Sequence, residues 1–231
     1  MEQAQINFDF DETQHPKNII LSTPSLYTTK FGAAYCDDSL TLLRDLRLKD
    51  TKVNLVITSP PYALHFQKQY DKASKEDHHK WAKADYIAWF LEFAKEIYDL
   101  LPENGSFVLN IGGSYNKGEP TRSLYHYKLL IALIEEIGFF LAQECFWYNP
   151  AKMPMPAEWV TVRRIRIRDS VEYVWWLSKT QWPKADNRRV LREYSKDMKR
   201  LNSKGLEATT RPGGYVTVSY THLTLPTNRE V

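Results

Sequence analysis

The stretch VNLVITSPPYALHF, residues 53–66, is an apolar run that stops abruptly in Ser59, Pro60, Pro61 and Tyr62. Proline at 60 pushes Ser59 towards extended backbone, and each pyrrolidine ring fixes its own φ. The result is a stiff turn with two backbone N–H donors removed. Acceptors remain: the Ser59 hydroxyl oxygen and the Pro60 carbonyl, which belongs to a tertiary amide. Tyr62 adds a flat aromatic face. Such a set suits a planar group bearing an NH2 that is held through its hydrogens. Pro-Pro-Tyr taken alone would equally fit a strand-ending turn or a polyproline ligand.

Two further polar clusters follow apolar strand-like runs, Asp37-Asp38 after FGAAYC and Asn110-Ile111-Gly112-Gly113 after SFVL. Asp38 or Ser39 suits the N-cap of the helical run LTLLRDLRL, and an acidic residue there also suits a ligand contact. Asn110 to Gly113 reads either as a turn or as pocket lining. Gly112, Gly113 and Gly118 form no phosphate loop, since no Gly-Lys-Ser/Thr follows. His78 and His79 lie in a charged, polar segment and read as solvated rather than metal-binding. Cys36 and Cys145 lack metal-type spacing and fit a reduced, cytoplasmic setting.

The elements that must position these groups alternate. VNLVIT is a strand of nearly continuous apolar character, as expected where helices cover both faces of a sheet. From Asp85, residues Ile87, Phe90, Leu91, Ala94, Ile97, Tyr98 and Leu101 recur at spacings of three and four, the mark of an amphipathic helix. SFVLNIGG is the next strand. A helix over 121–137 carries Leu124, Tyr127, Ile131 and Ile134 on one face, with Gly138 as its C-terminal cap. FFLAQECFWY and SVEYVWWLSK are further strands. The alternation predicts an α/β fold with a mostly parallel sheet. In open sheets of that kind ligands sit beyond the carboxyl ends of the strands, which is where the three polar clusters fall.

Charge is uneven. Residues 151–204 hold 14 Lys and Arg against 6 Asp and Glu, a local +8 on a chain whose total is +3. A basic block on a slightly acidic body suggests one surface that meets a polyanion. Within VRRIRIR, strand alternation would put Arg164, Arg166 and Arg168 on one face, spaced to follow a phosphate backbone. Farther on, Val190, Tyr194, Met198 and Leu201 make a helical stripe, with Arg188, Arg189 and Arg192 among the basic residues around it. The 231 residues suffice for one well-cored domain. The acidic start MEQAQINFDFDETQ is no signal or transit peptide, and the longest apolar run, 129–142, is interrupted by Glu135 and Glu136.

Ser-Pro-Pro-Tyr after an apolar strand resembles the catalytic motif of the amino-directed DNA methyltransferases, whose Ser form is typical of enzymes that methylate N4 of cytosine. YCDDSLTLLRDL, VNLVITSPPY, FVLNIGGSY, WYNPAKMPMPAEWVTVRRIRIRDSVEYVWWLSKT and WPKADNRRVLREYSKDMKRL extend the resemblance in order, over about 26–215. It implies a Rossmann-like, S-adenosylmethionine-dependent fold with helices on both faces and double-stranded DNA as substrate. The target base would be flipped out and stacked on Tyr62, as in the modification half of a restriction–modification system with a cognate endonuclease. It also implies that Asp38 meets the adenosine end of the cofactor, with Asp37, Asn110 and Gly112 alongside. Asp37 departs from the pattern, standing where a glycine is common.

The resemblance further implies a Phe-x-Gly-x-Gly loop for the methionine part of the cofactor, downstream of the catalytic motif, and none occurs. The family character stops after RPGGY. Residues 218–227 resemble one translated frame of a transposase adapter used to prepare DNA for sequencing. The expected organisation is a polar arm (1–17), a partial catalytic core (18–180), a basic helical segment facing DNA (181–215) and a non-native tail (216–231).

Overall fold

In the computed structural model the described residues are 13, 15–62 and 83–204. His78, His79 and the 216–231 tail lie outside them. The chain divides between Lys184 and Ala185 into two compact units.

In the first unit a short helix α1 (Pro16–Ile19) leads into a hairpin of β1 (Tyr27–Thr29) and β2 (Gly32–Ala34). Then come α2 (Ser39–Leu48), β3 (Leu55–Thr58), α3 (Lys83–Leu100), β4 (Ser106–Ile111), β5 (Ser114–Tyr115), β6 (Arg122–Ser123), α4 (Tyr125–Ala132), β7 (Phe140–Tyr148) and β8 (Val171–Ser178). The central sheet has the order β3-β4-β8-β7. Its β3–β4 pairing is parallel, and β4–β8 and β8–β7 are antiparallel. The architecture is thus mixed α/β, not the mostly parallel sheet expected. The reason lies between β7 and β8, where residues 149–170 carry a single π-helical turn (Glu158–Val162) in place of a crossover helix. Without a crossover, neighbouring strands must run antiparallel.

The core sits on one face. Phe107, Leu109 and Ile111 of β4, with Trp175 and Leu177 of β8, pack against Tyr86, Phe90, Ala94 and Ile97 of α3 and Tyr125 and Leu129 of α4. The α3 periodicity read from sequence is thereby realised. On the other face Leu55 is 49% and Ile57 67% exposed, so among the described residues helices cover one face and not both. The face of α4 expected to carry its apolar stripe is also the exposed one: Leu124, Tyr127, Ile131 and Ile134 are open, whereas Tyr125, Leu129, Ala132 and Leu133 are buried. The helix starts at Tyr125 because Arg122 and Ser123 are drawn into a strand pairing with Ser114 and Tyr115. A π-helical turn (Leu133–Ile137) extends it, and Gly138 closes it in the left-handed region at φ +96°.

The hairpin β1–β2 forms its own two-stranded sheet, so FGAAYCDDS does not supply a strand of the central one. Asp38 does cap α2, its carboxylate accepting from the Thr41 backbone N–H at 3.0 Å. In the second unit, α5 (Lys196–Lys204) follows a 3-10 turn (Asn187–Val190) capped by Asp186. Of the expected stripe only Met198 and Leu201 share a helix, since Val190 lies in the turn and Tyr194 between the two elements. No helix among the described residues is long and apolar enough to cross a membrane.

Candidate functional site

Register builds the site. Pairing Thr58 with Leu109 places Ser59, the residue just after β3, level with Asn110 on β4. Antiparallel pairing of Asn110 with Val174 and Ile111 with Tyr173 brings the start of β8 to the same corner, with Glu172 level with Gly112. Three strand ends meet there. Ser59 and Pro61 are exposed, Pro60 is buried and Tyr62 is half-buried.

One hydrogen-bond network joins them. Ser59 donates from Oγ to Asn110 Oδ1 at 3.2 Å, and its Oγ lies 3.3 Å from the Tyr62 hydroxyl. The Tyr62 hydroxyl is 2.5 Å from Asn110 Oδ1 and 3.0 Å from Glu172 Oε2. It has one hydrogen to donate, so at any instant it serves one of three acceptors, Asn110 Oδ1, Glu172 Oε2 or Ser59 Oγ. Lys152 Nζ stands 3.5 Å from Glu172 Oε1 and donates to the Val171 carbonyl at 3.3 Å. With the Ser59 hydrogen given to Asn110, the Ser59 oxygen keeps its lone pairs for an incoming donor.

Backbone room is what the glycines contribute. A Cβ on Gly112 would lie 2.6 Å from the Tyr62 ring, so the aromatic shelf rests on bare backbone. The Tyr125 hydroxyl donates to the Gly112 carbonyl from beneath. A Cβ on Gly113 would lie 2.5 Å from the Arg122 guanidinium. That guanidinium pairs with Asp169 at 2.5 Å and lies over the Tyr115 ring at 4.6 Å.

An aromatic layer supports the corner. His126 is buried and stacks near Tyr173 and Trp175, and neither of its ring nitrogens has a hydrogen-bond partner among the described residues. Burial, then the nearby Arg122 charge, pushes its pKa down to about 4. Burial, then the hydrogen bond with Tyr127, pushes the Tyr173 hydroxyl up to about 12.

The structure therefore brings together Ser59, Pro60, Pro61, Tyr62, Asn110 and Gly112. Asp37 and Asp38 stand apart from this network, at the start of α2. The Asp37 carboxyl accepts from the Thr23 hydroxyl and from the Asp38 N–H, which hold it below the usual carboxylate range. Asp38 Oδ2 is taken up by Thr41. Arg164, Arg166 and Arg168 are exposed but share no strand face, because this stretch is an irregular loop and Arg164 adopts φ +55°. Arg166 donates to the Pro120 carbonyl at 3.0 Å. In the second unit Arg188 is paired with Asp186 at 2.8 Å, and Arg189 and Arg192 are exposed. Sequence reasoning missed Glu172 and Lys152. The signal was there for Glu172, the one acid in the otherwise apolar run VEYVWWLS.

A family model described as DNA methylase, of the N6/N4 type, matches residues 53–224. The type II methyltransferase M.PvuII from Proteus hauseri is 46% identical over 192 residues, 82% of this chain and 54% of that protein. M.SfiI from Streptomyces fimbriatus is 33% identical over 138 residues, 53% of this chain and 31% of its own. Among solved structures, the PvuII DNA methyltransferase (cytosine-N4-specific) superposes with a TM-score of 0.61 at 36% identity, covering 81% of this chain and 67% of that one. The chain thus spans about half the length, or less, of these curated relatives. With Ser-Pro-Pro-Tyr at the end of a parallel strand and a match over most of its residues, the chain belongs to the N6/N4 DNA methylase family.

Proposed function

We propose that this chain carries the base pocket of a DNA methyltransferase that transfers a methyl group from S-adenosylmethionine to N4 of cytosine, as the modification enzyme of a cytoplasmic restriction–modification system with a cognate endonuclease. The single observation that carries the reading is that Ser59 Oγ has acceptors for its own hydrogen within reach, Asn110 Oδ1 at 3.2 Å and the Tyr62 hydroxyl at 3.3 Å. It leaves the lone pairs of Ser59 Oγ for an incoming donor at the exposed end of β3, next in the chain to the Pro60 carbonyl. The N4 lone pair of cytosine is delocalised into the ring. Accepting both amino hydrogens, at Ser59 Oγ and Pro60 O, lets the nitrogen pyramidalise and frees its lone pair. This is positioning with electrostatic help and needs no covalent enzyme intermediate. Tyr62, propped on Gly112, is the shelf for a base flipped from the duplex.

The residues present fit part of S-adenosylmethionine. Asp38 Oδ1, unpartnered among the described residues, suits a hydroxyl of its adenosine end, with Asp37 beside it. No Phe-x-Gly-x-Gly segment for the methionine end occurs in the 231 residues. When bound, S-adenosylmethionine supplies the electrophilic methyl. Exposed arginines at 164, 166 and 168, and separately at 188, 189 and 192, suit phosphate contacts that position the duplex without reading its sequence.

The rival within the family is N6 of adenine, another exocyclic amine that the same two acceptors can hold. Digesting DNA methylated by the full-length protein to nucleosides separates them: N4-methylcytosine is expected, and N6-methyladenine alone would overturn the assignment. A non-catalytic DNA-binding role predicts instead that Ser59→Ala leaves every activity intact.

A further inference from the structure

We infer that Lys152, oriented by Glu172, reads the acceptor edge of the flipped base and selects cytosine over adenine. This rests on the amine-methylating reading above. The network ends in an asymmetric way. At one end stands the acceptor Ser59 Oγ, with the Pro60 carbonyl assigned beside it in that reading. At the other stands an ammonium group, reached through the Tyr62 hydroxyl and the two oxygens of Glu172, at 3.0 and 3.5 Å.

Both members of that ion pair are largely buried, with side-chain exposures of 25% for Lys152 and 14% for Glu172. Desolvating two charges is expensive, and such a pair contributes little to stability over an apolar replacement. A functional use explains it better.

Cytosine and adenine both offer an amine flanked by a ring nitrogen acceptor. Beyond that nitrogen, cytosine presents a second acceptor, its O2 carbonyl, and adenine a C–H. A pocket that takes the amine on acceptors must meet this second position with a donor if it is to tell the bases apart. The hydroxyl hydrogens nearby have protein acceptors within reach, Ser59 in Asn110 or the Tyr62 hydroxyl and Tyr62 in Asn110, Glu172 or Ser59. Asn110 Nδ2 gives one of its two hydrogens to the Tyr173 carbonyl at 3.5 Å and keeps a neutral amide N–H. Lys152 has three hydrogens and two acceptors among the described residues, Glu172 and the Val171 carbonyl, so one remains, and of the donors in this network it alone carries a charge. A site built to bond an acceptor rejects the analogue that lacks it, because its own donor would be left unpaired.

The test uses the full-length protein and the target position mapped on DNA that the wild type has methylated. Duplex affinity is measured without S-adenosylmethionine, with cytosine or adenine at that position, for wild type, Lys152→Met and Glu172→Gln. Lys152→Met is expected to weaken the cytosine duplex by about 10- to 100-fold and the adenine duplex hardly at all, the range of one charged hydrogen bond. Glu172→Gln should move the same ratio in the same direction by less. An equal loss on both duplexes would make Lys152 a phosphate contact and overturn the inference, as would no loss in either variant. Should Lys152→Met fail to fold, Glu172→Gln decides alone. If the wild type makes no N4-methylcytosine, it is the functional reading that fails.

Discussion

The corner around Ser59 and the loop from Arg163 to Arg168 lie near one another in the sheet's topology yet are built on opposite plans. At the corner every polar group answers to another: Ser59 to Asn110, Tyr62 to Asn110 and Glu172, Glu172 to Lys152. In the loop the arginines are exposed and their protein contacts do not join into one network: Arg163 pairs with Glu158 at 2.6 Å and lies over the Trp159 ring, and Arg166 donates to the Pro120 and Ile165 carbonyls. A closed network fixes atoms to within a fraction of an ångström, and loses its function when one member goes. A set of solvated charges acts through a sum, and loses it by instalments.

The sharpest way to break the contrast is Ser59→Ala in the full-length protein. Methyl transfer should fall by about 10²–10³-fold, as for loss of one preorganised contact, while DNA affinity holds. A matching fall in affinity would show that the corner binds rather than positions. Gly112→Ala comes next. Its Cβ must displace the Tyr62 ring, with a stability cost of about 1–3 kcal/mol for overpacking and roughly a tenfold or greater loss of turnover as the shelf shifts. Thermal unfolding and turnover would be measured together, and an unchanged variant would mean the ring is free to move.

For the loop, Arg164→Ala and Arg168→Ala should each weaken duplex binding uniformly across sequences and lower the slope of log affinity against log salt by about 1. A sequence-dependent loss would move the loop into base reading. The smallest effect on activity belongs to His126. Its folded pKa of about 4 lies below the ordinary value of 6.5, so its neutral form stabilises the fold fully above pH 6.5. That contribution, up to about 3 kcal/mol, is lost as pH falls towards 4. His126→Phe removes two buried, unpartnered nitrogens and should flatten this part of the stability–pH profile, read by denaturant unfolding at several pH values.

Ser59 to Tyr62 and Asn110 to Gly113 were legible because local chemistry announces them. Prolines stiffen a turn wherever they stand, and glycines follow close backbone approaches. The α3 stripe was legible from its 3.6-residue period. The α4 face was not, since apolar residues occur all round that helix and only its neighbours decide which side is buried. The direction of β8 was hidden too, because a strand's own sequence does not say which way its partner runs. With that direction went Glu172 and Lys152, which reach the site only through antiparallel register. Arg164 shows a further limit: alternation of Arg and Ile mimics a strand, and one residue at φ +55° destroys it.

The uncovered face of β3 has a practical side. Among the described residues β3 pairs on one edge only, and its outward side chains are Leu55 and Ile57. At the opposite border of the sheet β7 is exposed along its whole length, with Phe146 and Trp147 each 55% open. Strand borders of this composition carry none of the lysines or prolines that ordinarily discourage intermolecular pairing. Borders of this kind are the ones through which chains add to one another's sheets, so the polypeptide is expected to self-associate as its concentration rises, which light scattering would read. A lysine in place of Ile57, which is 67% exposed, puts a charge on that border and is expected to lower the tendency.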